Sequence, residues 1–147
     1  MNNIIIRAAT ESDLPELLRL YKVLLGEDID FEKACETLER INSLENVKLL
    51  VAVFDKHIVG TIQITLLIGL GFNCRPYLSI EYLVVDEAYR NRGIGSLLLK
   101  QVDEYARETN AAFADLISSG FRTKAHKLGF AVDVVGFRKN YTAEDSV

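Results

Sequence analysis

Two features of this chain carry recognisable chemistry: a lone carboxylate in an apolar run, and a pair of arginines set among glycines a few residues later. Glu81 lies inside Leu78-Ser79-Ile80-Glu81-Tyr82-Leu83-Val84-Val85, a strand-like segment. Asp86-Glu87-Ala88-Tyr89-Arg90-Asn91-Arg92-Gly93-Ile94-Gly95-Ser96 follows it directly. Gly93 and Gly95 carry no Cβ, so the backbone can bend sharply there and point several N–H groups at one anion. Ile94, Leu97, Leu98, Val102 and Tyr105 recur at helical spacing. The turn therefore opens a helix whose unpaired first N–H groups and positive dipole end face the same guest. Phosphate suits such a cradle, with Arg90 and Arg92 as charged partners. Glu81 interrupts an otherwise apolar strand, and burial there would lift its pKa from about 4.3 toward the range useful for a base. The structural alternatives are an ion pair or an exposed strand face for Glu81, and a solvated basic turn for the arginines.

Alternation along the strand puts Glu81, Leu83 and Val85 on one face and Ile80, Tyr82 and Val84 on the other. The elements that must hold this strand can be read from either side of it. Asn3–Arg7 reads as a first strand, and Thr10 with Asp13 three residues on is an approximate capping signal. Leu14, Leu17, Leu18, Tyr21 and Leu24 then form a helical stripe that Gly26 ends. A second helix runs from Phe31 to Ile41. Val47–Phe54 and Ile58–Ile68 read as strands of a hairpin joined by Asp55-Lys56-His57. Gly69–Pro76 is a glycine-containing loop that forms a rim, and Leu78–Val85 is the fourth strand. The glycine-turn helix spans Ile94–Thr109. A strand at Ala112–Ile117, a short helix at Thr123–Leu128 and terminal strand structure at Ala131–Tyr141 complete a mixed α+β layer pattern.

Together Glu81, Arg90-x-x-Gly93-x-Gly95 and the following helix resemble the acetyl-CoA-binding core of the GNAT superfamily of N-acetyltransferases. The likeness extends from Ile6-Arg7-x-Ala9-Thr10-x-x-Asp13 to Gly129-Phe130, nearly the whole chain. It implies a single α+β domain over residues 1–147, with a mixed, mostly antiparallel central sheet flanked by helices. Acyl-CoA would lie in a gap beside the fourth strand, which in the superfamily a bulge creates. The resemblance also implies acetyl transfer to a primary amine of a small molecule or protein by direct attack on the thioester. Glu81 is then the base. Leu83, Val84 and Val85 pair with the pantetheine arm as with an added strand, and Arg90, Asn91, Arg92, Gly93, Ile94, Gly95 and Ser96 hold the pyrophosphate. From Val85 back to Glu81 is roughly 13 Å at strand rise, which suits the reach from pyrophosphate to thioester. Backbone N–H groups near Leu83 would polarise the thioester carbonyl.

One departure stands out. The superfamily often reads Arg-x-x-Ala-His-x-Phe-Tyr-x-x-x-Gly-Phe after the fifth strand, the tyrosine placed to protonate the leaving thiolate. Here Arg122-Thr123-Lys124-Ala125-His126-Lys127-Leu128 runs straight into Gly129-Phe130, about four residues and more than a helical turn shorter. With a thiol pKa of about 8.5, solvent can protonate the leaving group; the other outcome is an acyl-CoA-binding sensor or degenerate homologue with little turnover. A nucleotide-binding module that uses the same turn lacks the longer Gly-x-Gly-x-x-Gly and Gly-x-x-x-x-Gly-Lys patterns.

Composition narrows the remaining classes. A length of 147 residues supports one core, and 49% apolar against 26% charged residues is a globular balance. The net charge of −4 argues against a nucleic-acid partner and fits a cationic amine acceptor. No apolar run reaches membrane-span length, because Gly60, Thr61, Gln63, Thr65 and Gly69 interrupt the longest. Two cysteines without a CxxC pair indicate reduced thiols and a cytoplasmic setting, Cys35 as a small core residue and Cys74 free. His57 at the hairpin turn reads as exposed, and neither it nor His126 has metal-ligand companions, so no metal is expected. The resemblance is compatible with a homodimer.

Overall fold

The computed structural model describes residues 3–117, 129–132 and 136–142. Strand β1 (Ile5–Ala8) leads through a 3-10 turn, Glu11–Asp13, into helix α1 (Leu14–Leu25), and α2 (Phe31–Ser43) follows. Strands β2 (Val47–Phe54) and β3 (His57–Leu67), the single turn α3 (Gly71–Cys74), β4 (Tyr77–Val85), α4 (Ile94–Thr109) and β5 (Ala114–Leu116) complete the order. The sheet runs β1-β2-β3-β4-β5, antiparallel throughout except for the parallel β4–β5 pair. No helix among the described residues is long and apolar enough to cross a membrane.

Local chemistry explains the helix starts and the first hairpin. The Asp13 carboxylate accepts from the Thr10 N–H at 2.8 Å and from both Arg7 Nη groups at 2.7 and 2.9 Å. This locks β1 to the start of α1 and lets Asp13 be buried. Gly26 ends α1 in the left-handed conformation, φ +74°. The β2–β3 loop is the two-residue Asp55-Lys56, both at positive φ, as a tight hairpin of matching twist requires; His57 belongs to β3.

The two sheet faces bury separate clusters. Leu98, Leu99 and Val102 of α4 pack on Ile62, Ile64, Leu78 and Ile80. On the opposite face, Leu14, Leu17 and Leu20 of α1 and Leu38 of α2 cover Leu49, Val51, Ile58 and Val84. Cys35 is half-buried against this second cluster, and Cys74 is exposed with a free thiol.

The fourth strand departs from simple alternation. Thr61 faces Val84 and Gln63 faces Glu81, so Tyr82 and Leu83 together oppose Ile62. This is a β-bulge, with Tyr82 at φ +51°. The extra residue reverses the parity expected from the sequence. Leu83 and Val85 join Ile80 on the α4 face, whereas Val84 belongs to the α1 and α2 cluster and Tyr82 stacks on Tyr21 of α1. Glu81 shares that α1 face but is exposed. The expected burial is therefore corrected: Glu81 stands at the kink, where neither helix covers it.

A second correction concerns the C-terminal part. Ala131–Tyr141 was expected to close the sheet, but its described residues, 131–132 and 136–141, form no strand. Strand propensity is realised only when alternate side chains find a surface to pack on, and Val132 and Phe137 are 79% and 96% exposed. The expected helix Thr123–Leu128 lies outside the described residues.

Candidate active site

The junction between β4 and α4 is a corner held from four directions. The Asp86 N–H donates to the Val59 carbonyl at 2.9 Å. Its carboxylate accepts from the Ala88 N–H at 3.0 Å, capping the 3-10 turn Glu87–Tyr89, and from Arg19 Nη2 of α1 at 2.8 Å. Burial works to raise the Asp86 carboxyl, but the bonds from Arg19 and Ala88 outweigh it and hold the pKa below the usual range. Arg90 then folds back, its Nε donating to the Val85 carbonyl at 3.1 Å.

Asn91 and Gly93 turn the chain through left-handed conformations, φ +63° and +81°, and Gly93 caps α4. The Leu97 N–H reaches the Gly93 carbonyl at 3.0 Å as the first bond of the helix. The N–H groups of Ile94, Gly95 and Ser96 precede it and carry the positive end of the helix dipole. No acidic side chain stands in that first turn to compete for them. Ile94 itself is 2% exposed and anchors the turn in the core, so only its main chain serves the cradle. Arg90, Asn91, Arg92 and Gly93 are exposed, with the Arg92 guanidinium over the Tyr89 ring at 5.2 Å.

Two glycines fix the space around the corner. A Cβ on Gly95 would meet only Val85 Cγ2, at 3.9 Å, so the protein's own packing does not require glycine there. Gly95 lies in the first turn of α4, where an anion bound at the helix N-terminus would approach. Gly60 of β3 is the opposite case. A Cβ there would lie 3.1 Å from Ile94 Cγ2, 3.2 Å from Leu98 Cδ1 and 3.3 Å from the Val84 carbonyl oxygen. Its absence lets the start of α4 seat directly on the sheet.

Beside the corner no described strand pairs with the far side of β4. β5 pairs with Leu78, Ser79 and Ile80 only, while β4 continues to Val85. The bond from Asp86 to Val59 makes Val85 and Gly60 a non-hydrogen-bonded pair. The Val85 N–H and C=O therefore point away from β3, toward the side of the sheet where β5 has ended. The Val84 carbonyl turns the other way, toward Gly60.

Glu81 stands where this open stretch begins. Its Oε1 accepts from the Ser79 hydroxyl at 3.1 Å. Tyr82, next in sequence, stacks on Tyr21 with ring centroids 5.2 Å apart. Burial, and then the charges of Tyr82 and Glu81, push the Tyr21 phenol well above its usual range. His57, read as merely exposed, pairs through Nδ1 with Glu16 Oε1 at 3.0 Å, and Glu16 Oε2 accepts the Ile58 N–H. No group of side chains among the described residues has the makings of a metal site. Residues 118–128, which include His126, lie outside the described residues, so the shortened segment is represented only by Gly129, at φ +89°, and by Phe130, which packs against the α4 cluster.

Sequence reasoning missed three parts of this site. Gly60 in mid-strand was a usable signal of close backbone approach. Arg19 and Asp86 are 67 positions apart, and nothing local joins them. The Tyr21–Tyr82 stack depends on the bulge.

The family model described as Acetyltransferase (GNAT) family matches residues 11–130. A protein of Agrobacterium tumefaciens str. C58 named as a candidate acetyltransferase has a similar structure, with TM-score 0.84, 28% identity and coverage of 94% of this chain and 100% of that one. A structure from Bacillus halodurans C-125 named as a transcriptional regulator gives TM-score 0.80 at 26% identity, covering 95% of this chain and 100% of the other. Glucosamine-6-phosphate N-acetyltransferase from Arabidopsis thaliana shares the fold at TM-score 0.86 and 18% identity, with 96% and 100% covered. No curated protein matches the chain.

Proposed function

The chain belongs to the acetyltransferase (GNAT) family, and from that premise we propose that it transfers an acetyl group from acetyl-CoA to a primary amine of a small molecule or protein. The observation that carries this reading is the conjunction at β4: a left-handed bulge at Tyr82, an edge that runs on past the end of β5, and a glycine corner opening α4. Acetyl-CoA would supply an acyl thioester already activated toward amines.

The residues divide the work along the strand. The N–H groups of Ile94, Gly95 and Ser96, with Arg90, Asn91, Arg92 and Gly93 around them, suit a diphosphate. The Val85 main chain, together with Leu83 and Val84, supports an extended arm lying along β4 as an added strand. Arg90 closes the inner side of the turn through its bond to the Val85 carbonyl. Glu81 accepts the proton that an alkylammonium must lose before it can attack, directly or through one water. Ser79 holds the carboxylate while it does so. Solvent protonates the leaving thiolate.

A thiol-release assay over an amine panel tests the reading, with Glu81→Gln as the diagnostic variant. Turnover in the wild type and its loss in the variant support it; equal turnover in both removes Glu81 from the role. The exposure of Glu81 favours one second reading, an acyl-CoA-binding protein with little turnover. Tight acetyl-CoA binding without thiol release on any amine would establish that instead.

A further inference from the structure

The bulge in β4 leaves an aromatic side chain where the backbone least favours one. Tyr82 holds φ +51°, a left-handed conformation costly for a bulky residue and most readily adopted by glycine or asparagine. Its ring is supported from one side by Tyr21, at 5.2 Å between centroids and 27° between planes, and remains 39% exposed. The residue before it is the exposed Glu81. Among the described residues Glu81 has the Ser79 hydroxyl as partner and no ion pair, while Arg19 on the facing helix is held by Asp86 at 2.8 Å. The site thus brings together an electron-rich ring face and a carboxylate with no cation beside it among the described residues, which is the pairing that recognises an ammonium.

We propose that Tyr82, Tyr21 and Glu81 form an acceptor subsite that selects a protonated alkylamine. The ammonium lies against the carboxylate of Glu81 and the open face of Tyr82, and Tyr21 fixes the Tyr82 ring from behind. The same negative surface disfavours acceptors that carry phosphate or carboxylate beside the amine. This rests on the reading of Glu81 as the group that faces the acceptor.

The test is an NMR titration of the full chain, following the ring resonances of Tyr21 and Tyr82, with n-butylammonium chloride as probe and n-butanol as its neutral counterpart. The wild type should show saturable shifts with butylammonium and none with butanol. Tyr82→Phe keeps the ring and should bind alike. Tyr82→Asn suits the left-handed backbone but lacks the ring, and should bind about fivefold more weakly, read at Tyr21. Three outcomes overturn the subsite: no saturable shift in the wild type, an equal response to butanol, or equal affinity in Tyr82→Asn. Acetyl-CoA titrated into the wild type keeps the two readings apart, because its failure to bind sinks the transferase reading and failure of butylammonium sinks the subsite alone.

Discussion

Replacing Gly95 with alanine should separate what the corner does for a ligand from what it does for the fold. A Cβ at this position meets only Val85 Cγ2, at 3.9 Å, an ordinary contact, and the residue lies in the first turn of α4. Alanine is the better helix former, so the ligand-free variant should gain about 0.5 kcal/mol, a rise in melting temperature of about 1–2 °C for a chain of this size. The new methyl would stand among the N–H groups of the helix start and hold a diphosphate off them. Losing one charge-assisted hydrogen bond there weakens binding at least tenfold, about 1.4 kcal/mol. The effect on a melt follows by mass action. Acetyl-CoA at a hundred times the wild-type Kd stabilises by about 2.7 kcal/mol, and the same concentration stabilises a tenfold weaker variant by about 1.4 kcal/mol. Melts with and without acetyl-CoA, backed by calorimetry, would show stability and affinity moving in opposite directions. A variant that binds acetyl-CoA as tightly as the wild type, or that loses stability without it, would refute the assignment of this space to the ligand. Gly93→Ala is the contrast: nothing crowds its Cβ, but φ +81° makes alanine cost the free protein about 1–2 kcal/mol.

Other perturbations probe the remaining parts. Glu81→Gln should lower kcat/KM by about 10²–10⁴ while leaving acetyl-CoA affinity unchanged in calorimetry. Gly60→Ala forces a Cβ to within 3.1 Å of Ile94 Cγ2 and should destabilise the protein by about 1–3 kcal/mol, with weaker acetyl-CoA binding because the start of α4 must lift off β3. Acid stability should follow the carboxylates held below their usual range: Asp13, chiefly by its bonds from Arg7, and Glu16 and Asp86, where partners outweigh burial. Because these groups take up protons at higher pH when unfolded, their stabilisation is complete above about pH 5 and is lost as pH falls through 4 and below. Arg7→Met should cost about 1–2 kcal/mol near neutral pH, discounted for the half-exposed arginine, and flatten that acid limb in denaturant melts.

Much of this architecture was legible because hydrophobic period and turn chemistry agree over long stretches. The stripe from Ile94 to Thr109 and the run Val47–Phe54 coincide with α4 and β2, since in each the apolar period matches the face that becomes buried. Gly26 stops α1 as expected. What escaped depends on contacts distant in sequence. The bulge puts a tyrosine at positive φ, where a glycine or asparagine would have announced it, and so reversed the facing of Leu83, Val84 and Val85. Glu81 looked buried because its neighbours are apolar, but beside the bulge its side chain is exposed. The segment Ala131–Tyr141 offered aromatic residues for a strand, and Phe137 finds nothing to pack on.

Crystallography of the chain with acetyl-CoA bound tests the central claim most directly. The account predicts diphosphate oxygens within hydrogen-bond distance of the Gly95 and Ser96 N–H groups, and an extended arm along Val85 that ends near Glu81. Density for the cosubstrate elsewhere, with the glycine corner bare and the edge of β4 uncovered, would contradict it.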